Sequence, residues 1–225
     1  MILSNLNSVF AQILQESEKT NMTAPNEEII YIYKDKVYLN ITNKCPCACT
    51  FCIRSQKNAI GNASNLWLDH NPSFEEVKQA VDKFDFSGFD EAVFCGYGEP
   101  VNSFDVLVQT AKYLKEKTGI KLRVNTNGLG NLINKRDISK ELCDCVDSVS
   151  ISLNCSDKEK YFETVRPKFG IVSYDAMLDF AKKCKAHTNS VMLSVVDVIG
   201  EEEVAKCQQI ADNLGIFLKV RKFSN

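Results

Sequence analysis

The feature that most constrains this 225-residue chain is a regular alternation of short β-rich runs with helical patterns. A strand followed by a helix, repeated every few tens of residues, is typical of βαβ units around a parallel sheet. Counting from residue 36 onward gives six such β-rich runs, whereas a closed barrel needs eight strands. We therefore predict an α/β fold, a partial (βα)6 barrel with one side left open. The predicted strands after the first are 91–95, 121–125, 147–153, 191–198 and 216–221, and the predicted helices are 74–84, 104–117, 135–145, 174–187 and 201–214.

Two shorter segments precede this alternation. Residues 1–20 place apolar side chains at helical spacing, and residues 21–27 have the polar composition of a linker. The β-rich runs 29–33 and 37–42 flank a short polar turn and indicate a hairpin. We expect an N-terminal helix and linker over residues 1–28, and a core domain over residues 29–225 that starts with a β-hairpin extension.

Charge and cysteine content exclude several classes of protein. The 27 basic and 29 acidic residues leave a net charge of −2, so no global positive field indicates nucleic acid as a partner. No apolar run approaches the ~20 residues of a membrane span, and the N-terminus lacks the basic region of a signal peptide. Ten cysteines in a chain that can build a full core fit reduced thiols, some holding metal, better than a disulfide scaffold. We expect a cytoplasmic protein without membrane contact.

Four of the cysteines, Cys45, Cys47, Cys49 and Cys52, fall within eight residues directly after a predicted strand. Thiolates this close together converge naturally on one soft metal centre. Zinc would need a further ligand pair, which Cys143-Asp144-Cys145 could supply by spacing alone. All four thiolates could instead complete an iron–sulfur cluster, or three could hold it and leave one iron open for a substrate or cofactor.

The pattern Cys45-x3-Cys49-x-Phe51-Cys52 resembles the signature of radical S-adenosylmethionine (SAM) enzymes. The resemblance spans roughly residues 36–223. It implies a [4Fe–4S] cluster held by the three cysteines, with SAM chelating the fourth iron through its methionyl amine and carboxylate. It further implies oxidoreductase chemistry, in which SAM is cleaved reductively and a 5′-deoxyadenosyl radical abstracts hydrogen from a substrate. Cys47 is extra to the pattern, and we interpret it as a spectator.

A second segment, Gly96-Tyr97-Gly98-Glu99-Pro100, follows the second core strand. Glycines allow a close backbone approach, and a glutamate can accept hydrogen bonds from an ammonium. The Gly-Glu-Pro sequence resembles the motif with which the family holds the methionyl amine of SAM. Tyr97 stands where the commonest form of that motif has a glycine.

Weaker matches occur in the same order at the ends of later strands. The segment Asn125-Thr126-Asn127-Gly128 resembles the Thr-Asn-Gly motif of the family, and polar Ser152 and Asn154 suit the ribose hydroxyls or the methionyl carboxylate. The resemblance further implies adenine packing near Val198. It also implies a pairing of Arg166, which follows the fourth strand, with the SAM carboxylate.

Within the family, the chain looks most like small proteins encoded alone or linked to a TatD-type nuclease, a possible partner. Five cations and one carboxylate within residues 34–57 predict a docking face for an acidic electron donor such as flavodoxin or ferredoxin. Two alternatives stay open at this point. The chain could activate a glycyl-radical enzyme, or it could be a non-catalytic iron–sulfur or zinc protein acting as a sensor or electron carrier.

Overall fold

The computed structural model describes residues 28–223, so the predicted N-terminal helix lies outside the described residues. A single seven-stranded sheet runs in chain order. The first strand pairs antiparallel with the second, as the predicted hairpin requires, and all later pairs are parallel. The strands are β1 (Ile30–Tyr33), β2 (Lys36–Leu39), β3 (Glu91–Phe94), β4 (Lys121–Thr126), β5 (Ser148–Ser152), β6 (Val191–Val196) and β7 (Phe217–Arg221).

Helices follow each parallel strand from β3 to β6, and β6 continues directly into a short 3₁₀ turn at Asp197–Ile199. No helix of residues 28–223 is long and apolar enough to cross a membrane. The α-helices are α1 (Phe74–Lys83), α2 (Phe104–Thr118), α3 (Gly130–Asn134), α4 (Ser139–Cys145), α5 (Lys158–Val165), α6 (Val172–His187) and α7 (Glu201–Asn213).

Two helical segments differ from the sequence prediction. The single helix expected over residues 135–145 is wrong, because Lys135 adopts a left-handed φ of 53° that ends α3 and interrupts the helical path. The carboxylate of Asp137 then accepts hydrogen bonds from the backbone and hydroxyl of Ser139 at the start of α4. The helix α5 was not predicted at all, and it lies beside the cysteine loop.

Alternation along the strands separates a packed face from an open face. Leu122 and Val124 of β4 are fully buried in the core, while Arg123 and Asn125 point to the opposite face. The sheet does not close into a barrel, as predicted. It curves far enough that side chains from the β1–β2 hairpin and from β7 line one cavity on the open face.

The loop after β3 packs tightly on the loop after β2. A Cβ atom added to Gly98 would lie 2.1 Å from the carbonyl oxygen of Thr42. The backbone N–H of Glu99 donates to the carbonyl of Lys44 at 2.8 Å. The close approach at Gly98 therefore sets the distance between the glutamate loop and the cysteine loop.

Replacing Gly98 with alanine should destabilise the fold, since the atom it meets is backbone and cannot rotate away. We expect Gly98→Ala to lower the free energy of unfolding by roughly 1–3 kcal/mol, the usual range for overpacking. Gly88→Ala is the matched control, because nothing lies within 4 Å of a Cβ at Gly88. Denaturant titration of both variants measures the difference, and equal stabilities would contradict the tight packing at Gly98.

Candidate functional site

The cysteine loop joins β2 to a 3₁₀ turn at Ile53–Ser55, and α5 supports it. The N–H of Ala48 donates to the carbonyl of Val165 at 3.1 Å, and that of Thr50 donates to the carbonyl of Thr164 at 2.9 Å. The last carbonyls of a helix have no partner within the helix, so the loop satisfies groups that α5 leaves free. Cys47 forms an antiparallel bridge with Pro167 just beyond the helix.

A cavity of about 320 Å³ lies at the carboxyl ends of the strands, next to this loop. The structure brings the three cysteines of the pattern together there with polar residues from three different strand ends. The lining residues that the sequence predicted are Cys45, Cys49, Phe51, Cys52, Glu99, Asn125, Asn127, Ser152 and Asn154. In parallel sheets this edge is where ligands bind.

The other residues of the second motif shape the loop and do not line the cavity. A Cβ at Gly96 would lie 1.9 Å from Oδ1 of Asn40, which explains the need for glycine. Tyr97 donates its hydroxyl hydrogen bond to the carbonyl of Lys57 and contacts the ring of Trp67 at 5.1 Å between centroids. Pro100 is buried at the first position of the 3₁₀ turn Pro100–Ser103.

Two predicted contacts lie away from this cavity. Arg166 is exposed, and its Nε donates to the carbonyl of Glu163 at 3.3 Å. Val198 is 51% exposed in the 3₁₀ turn Asp197–Ile199, and Val196 of β6 lines the cavity in its stead. The sequence prediction extended the strand to Val198, whereas β6 ends at Val196. Arg166 lies beyond α5, a helix that the sequence did not predict.

Sequence reasoning missed several residues of the cavity wall. Ser194 of β6 is paired in register with Ser152 of β5, so the two side chains share a face. Arg221 ends β7 and is paired in register with Val196. The alternation of side chains along β6 and β7 could have identified these two residues from the sequence. The further lining residues outside the prediction are Cys47, Ile53, Cys95, Thr126, Val165, Ser194, Val196, Arg221, Lys222 and Phe223.

Glu99 is the buried carboxylate of the cavity, with 4% of its surface exposed. Its Oε2 accepts a hydrogen bond from the backbone N–H of Asn127 at 2.7 Å, and its Oε1 accepts one from that of Val101 at 3.4 Å. Burial, together with the neighbouring Cys45 thiolate, raises the pKa of Glu99 to about 8. A cation placed in the cavity would reverse this effect.

The thiols of the cysteine loop differ in their surroundings. A hydrogen bond with Cys47 lowers the pKa of the Cys45 thiol, whereas burial raises the pKa of Cys49 to about 12. Cys47 is only 4% exposed, and its sulfur accepts a hydrogen bond from Nδ2 of Asn127 at 3.5 Å. Cys47 thus already has a polar partner within the protein.

The donor set fits a soft, multinuclear centre next to a polar organic ligand. Cys45, Cys49 and Cys52 supply thiolates to one cavity, which is the ligand type that iron–sulfur clusters take. Within residues 28–223, no three His, Cys, Asp or Glu side chains are grouped closely enough to hold a single metal ion. The buried Oδ1 of Asn125 has no hydrogen-bond partner and lines the same cavity, so a polar ligand there would satisfy it.

Comparison with known proteins assigns the family. Residues 39–212 match the model of the Radical SAM superfamily, which covers most of the chain. The chain belongs to the radical SAM superfamily. Members of this superfamily bind a [4Fe–4S] cluster and SAM, which confirms the cofactor prediction, and most of them are enzymes. The search of curated proteins finds no match.

Solved structures share the fold at low sequence identity. A radical SAM methyltransferase from Sphaerobacter thermophilus matches with 13% identity and a TM-score of 0.54, over 86% of this chain and 68% of that one. Native anSMEcpe with bound AdoMet matches with 18% identity and a TM-score of 0.57, over 84% and 51%. HydG, a maturase of the [FeFe]-hydrogenase, matches with 20% identity and a TM-score of 0.59, over 88% and 45%. This chain therefore spans between 45% and 68% of the length of these structures.

The raised pKa of Glu99 predicts a loss of stability at alkaline pH in the protein without cofactors. The ordinary value is 4.5, so the stabilising effect of neutral Glu99 is present below pH 4.5 and is lost as pH rises through about 8. We expect unfolding free energy to fall by about 2 to 3 kcal/mol more in the parent than in Glu99→Gln between pH 6 and pH 9.

Chemical denaturation at the two pH values measures this difference. Glu116→Gln, a change at an exposed carboxylate, is the control and should follow the parent. Parallel pH profiles of the parent and Glu99→Gln would show that Glu99 ionises freely in the folded protein.

Proposed function

We propose that this chain is a radical SAM enzyme that cleaves SAM reductively and abstracts hydrogen from a substrate still to be identified. The observation that carries the proposal is the convergence of Cys45, Cys49 and Cys52 with buried Glu99 on one cavity at the strand ends. When bound, the reduced cluster supplies the electron that cleaves SAM to methionine and a 5′-deoxyadenosyl radical.

The three thiolates are suited to hold the cluster while leaving one iron free for SAM. Glu99 is suited to receive the methionyl ammonium, because its carboxylate is buried and its neighbours are hydrogen-bond donors rather than cations. An ammonium would supply the positive charge that this carboxylate lacks. Binding should therefore return the pKa of Glu99 toward its ordinary value.

Polar strand ends complete the proposed SAM site. Asn125 offers a buried Oδ1 without a partner, which can accept a hydrogen bond from a ribose hydroxyl. Ser152 ends β5, Asn154 follows it on the same cavity, and both can donate to the methionyl carboxylate. Asn127 has its N–H committed to Glu99 and its Nδ2 to Cys47, so we assign it to positioning those two groups.

An acidic electron donor such as flavodoxin or ferredoxin is the proposed partner for reduction. Lys44 is exposed within the cysteine loop and offers such a partner a cation beside the cluster site. Lys36 is paired with Glu91 at 3.1 Å, and Arg54 donates to the carbonyl of Cys47 at 3.0 Å. These two cations therefore contribute less to docking than the sequence suggested. Association with a TatD-type nuclease stays a prediction, as does activation of a glycyl-radical enzyme.

The four clustered cysteines should not be equivalent. Alanine at Cys45, Cys49 or Cys52 removes a cluster ligand, so each variant should lose the [4Fe–4S] absorbance and form no 5′-deoxyadenosine with dithionite and SAM. Cys47→Ala should keep about four irons per chain and cleave SAM near the parent rate. Iron content and 5′-deoxyadenosine are measured after anaerobic reconstitution.

The same five proteins test the competing assignment of all four thiolates to the cluster. That assignment gives no product from the parent, and product from Cys47→Ala only. Such a result would overturn the proposed enzyme and favour a sensor or electron carrier, and zinc in place of iron would do the same.

Removing the Glu99 carboxylate should weaken SAM without removing the cluster. A buried ammonium that loses its charged acceptor costs about 2–3 kcal/mol, or roughly 30–150-fold in affinity. Equilibrium binding of SAM to reconstituted Glu99→Ala measures this loss, with Glu116→Ala as an exposed control. Unchanged SAM affinity together with normal iron content would remove Glu99 from the site.

A further inference from the structure

A second cavity, of about 460 Å³, adjoins the cysteine-lined one on the open face of the sheet. Asn125, Arg221 and Lys222 line both cavities, so the two spaces meet along these side chains. The volume is within the range of small-molecule sites. A molecule held in the second cavity would therefore lie directly beside the proposed SAM site.

Cations dominate the wall of this second cavity. Among the described residues that line it, Asp35 supplies the only carboxylate. Asp35 lies on the exposed turn of the β1–β2 hairpin. The cationic lining residues are Lys34, Lys36, Arg123, Lys219, Arg221 and Lys222. Burial lowers the pKa of Lys219, and repulsion from Arg123 and Arg221 lowers it further. The positive charges are thus close enough to destabilise one another.

Arg123 is the deepest of these cations, with 7% of its surface exposed. Its NH2 group pairs with Oε2 of Glu91 at 3.2 Å, but Lys36 shares that carboxylate at 3.1 Å. The Nε of Arg123 is buried without a hydrogen-bond partner. One carboxylate therefore serves two cations, and one guanidinium donor is left over.

Arg221 lacks a counter-charge altogether among residues 28–223. Its side chain leaves β7, extends past β6 and donates from NH2 to Oγ of Ser150 on β5 at 2.9 Å. Its Nε is buried without a partner, as in Arg123. Arg221 is half-buried. A guanidinium that is partly removed from water and held only by a neutral hydroxyl is unfavourable for folding, because desolvation is not offset by an opposite charge.

Arg123, which is buried, and Arg221, which is half-buried, line one cavity, and each has an unused Nε donor. Guanidinium donors of this kind recognise acid groups. We propose that this cavity binds a small anionic substrate, through a carboxylate or phosphate group held by Arg123 and Arg221. The inference rests on the proposed function, and it gives the substrate a chemical class. The rest of the substrate would then lie against the residues that both cavities share, next to the radical formed in the cysteine-lined cavity.

The test titrates the SAM-bound, cluster-containing protein with inorganic phosphate and with succinate, at constant ionic strength, by calorimetry. Succinamide, which has the shape of succinate without its charge, is the neutral probe. We expect at least one anion to bind and succinamide not to bind. Arg123→Gln and Arg221→Gln should each weaken the tighter anion about 10- to 100-fold, as for loss of a charged hydrogen bond.

Arg136→Gln is the matched control, because Arg136 pairs with Glu141 on the surface and lies outside both cavities. It should bind the anions as the parent does. If Arg123→Gln does not fold, Arg221→Gln and Arg221→Lys test the anion site instead. Replacing Arg221 leaves no carboxylate without its partner, so these variants should fold. Phosphate binding alone assigns a phosphate ester, and succinate binding alone assigns a carboxylic acid.

The inference would be wrong if neither phosphate nor succinate binds. It would also be wrong if the parent, the control and both arginine variants bind the anions with equal affinity. The proposed function is judged separately, from 5′-deoxyadenosine formed by the parent with SAM and dithionite alone. A parent that cleaves SAM but binds no anion removes only the substrate class. A parent that binds anions through these arginines but never cleaves SAM removes the proposed reaction and keeps the anion site.

Discussion

The parallel pairing of β2 to β7 is the constraint on which the candidate site depends. It brings the carboxyl ends of six strands to one edge, where the cysteine loop, Glu99 and the polar strand ends meet. The same register fixes which side chains face the cavities. A slip of one residue in β4 would expose Leu122 and Val124 and bury Arg123 in the core. The hydrophobic pattern that builds the core therefore also directs the polar residues of the site.

Pairing of strands does not by itself place the cysteine loop, which needs support from both sides. On one side, Gly98 lets the glutamate loop approach Thr42, so that Glu99 can bond to the backbone of Lys44. On the other side, the end of α5 accepts hydrogen bonds from the cysteine loop. Each contact satisfies backbone groups that would otherwise lack partners, so stability and placement of the thiols come from the same bonds.

The sequence predicted the parts of this structure that follow from the alternation of strands and helices, or from motifs whose residues are close together along the chain. Strand order follows from alternation, and Cys45 and Glu99 stand out by their neighbours along the chain. Arg166 and Val198 do not line the cavity, because the unpredicted helix α5 separates Arg166 from β5 and β6 ends before Val198. The break at Lys135 has a related cause, since a left-handed φ in a residue other than glycine leaves little trace in sequence.

Arg221 was missed for a different reason, and the reason bears on function. Its role depends on β7 meeting β6 in one register and on the sheet curving until opposite edges share a cavity. Only then is it visible that two buried groups, Glu99 and Arg123, and the half-buried Arg221 face adjoining spaces without sufficient counter-charges. The two proposed ligands would offset these deficits separately, because the SAM ammonium would lie at Glu99 and the acid group of the substrate at the two arginines. Because Asn125 and Arg221 line both cavities, we expect a ligand in one cavity to affect binding in the other. Ligands that supply the missing charges should therefore stabilise the fold as well as occupy the cavities.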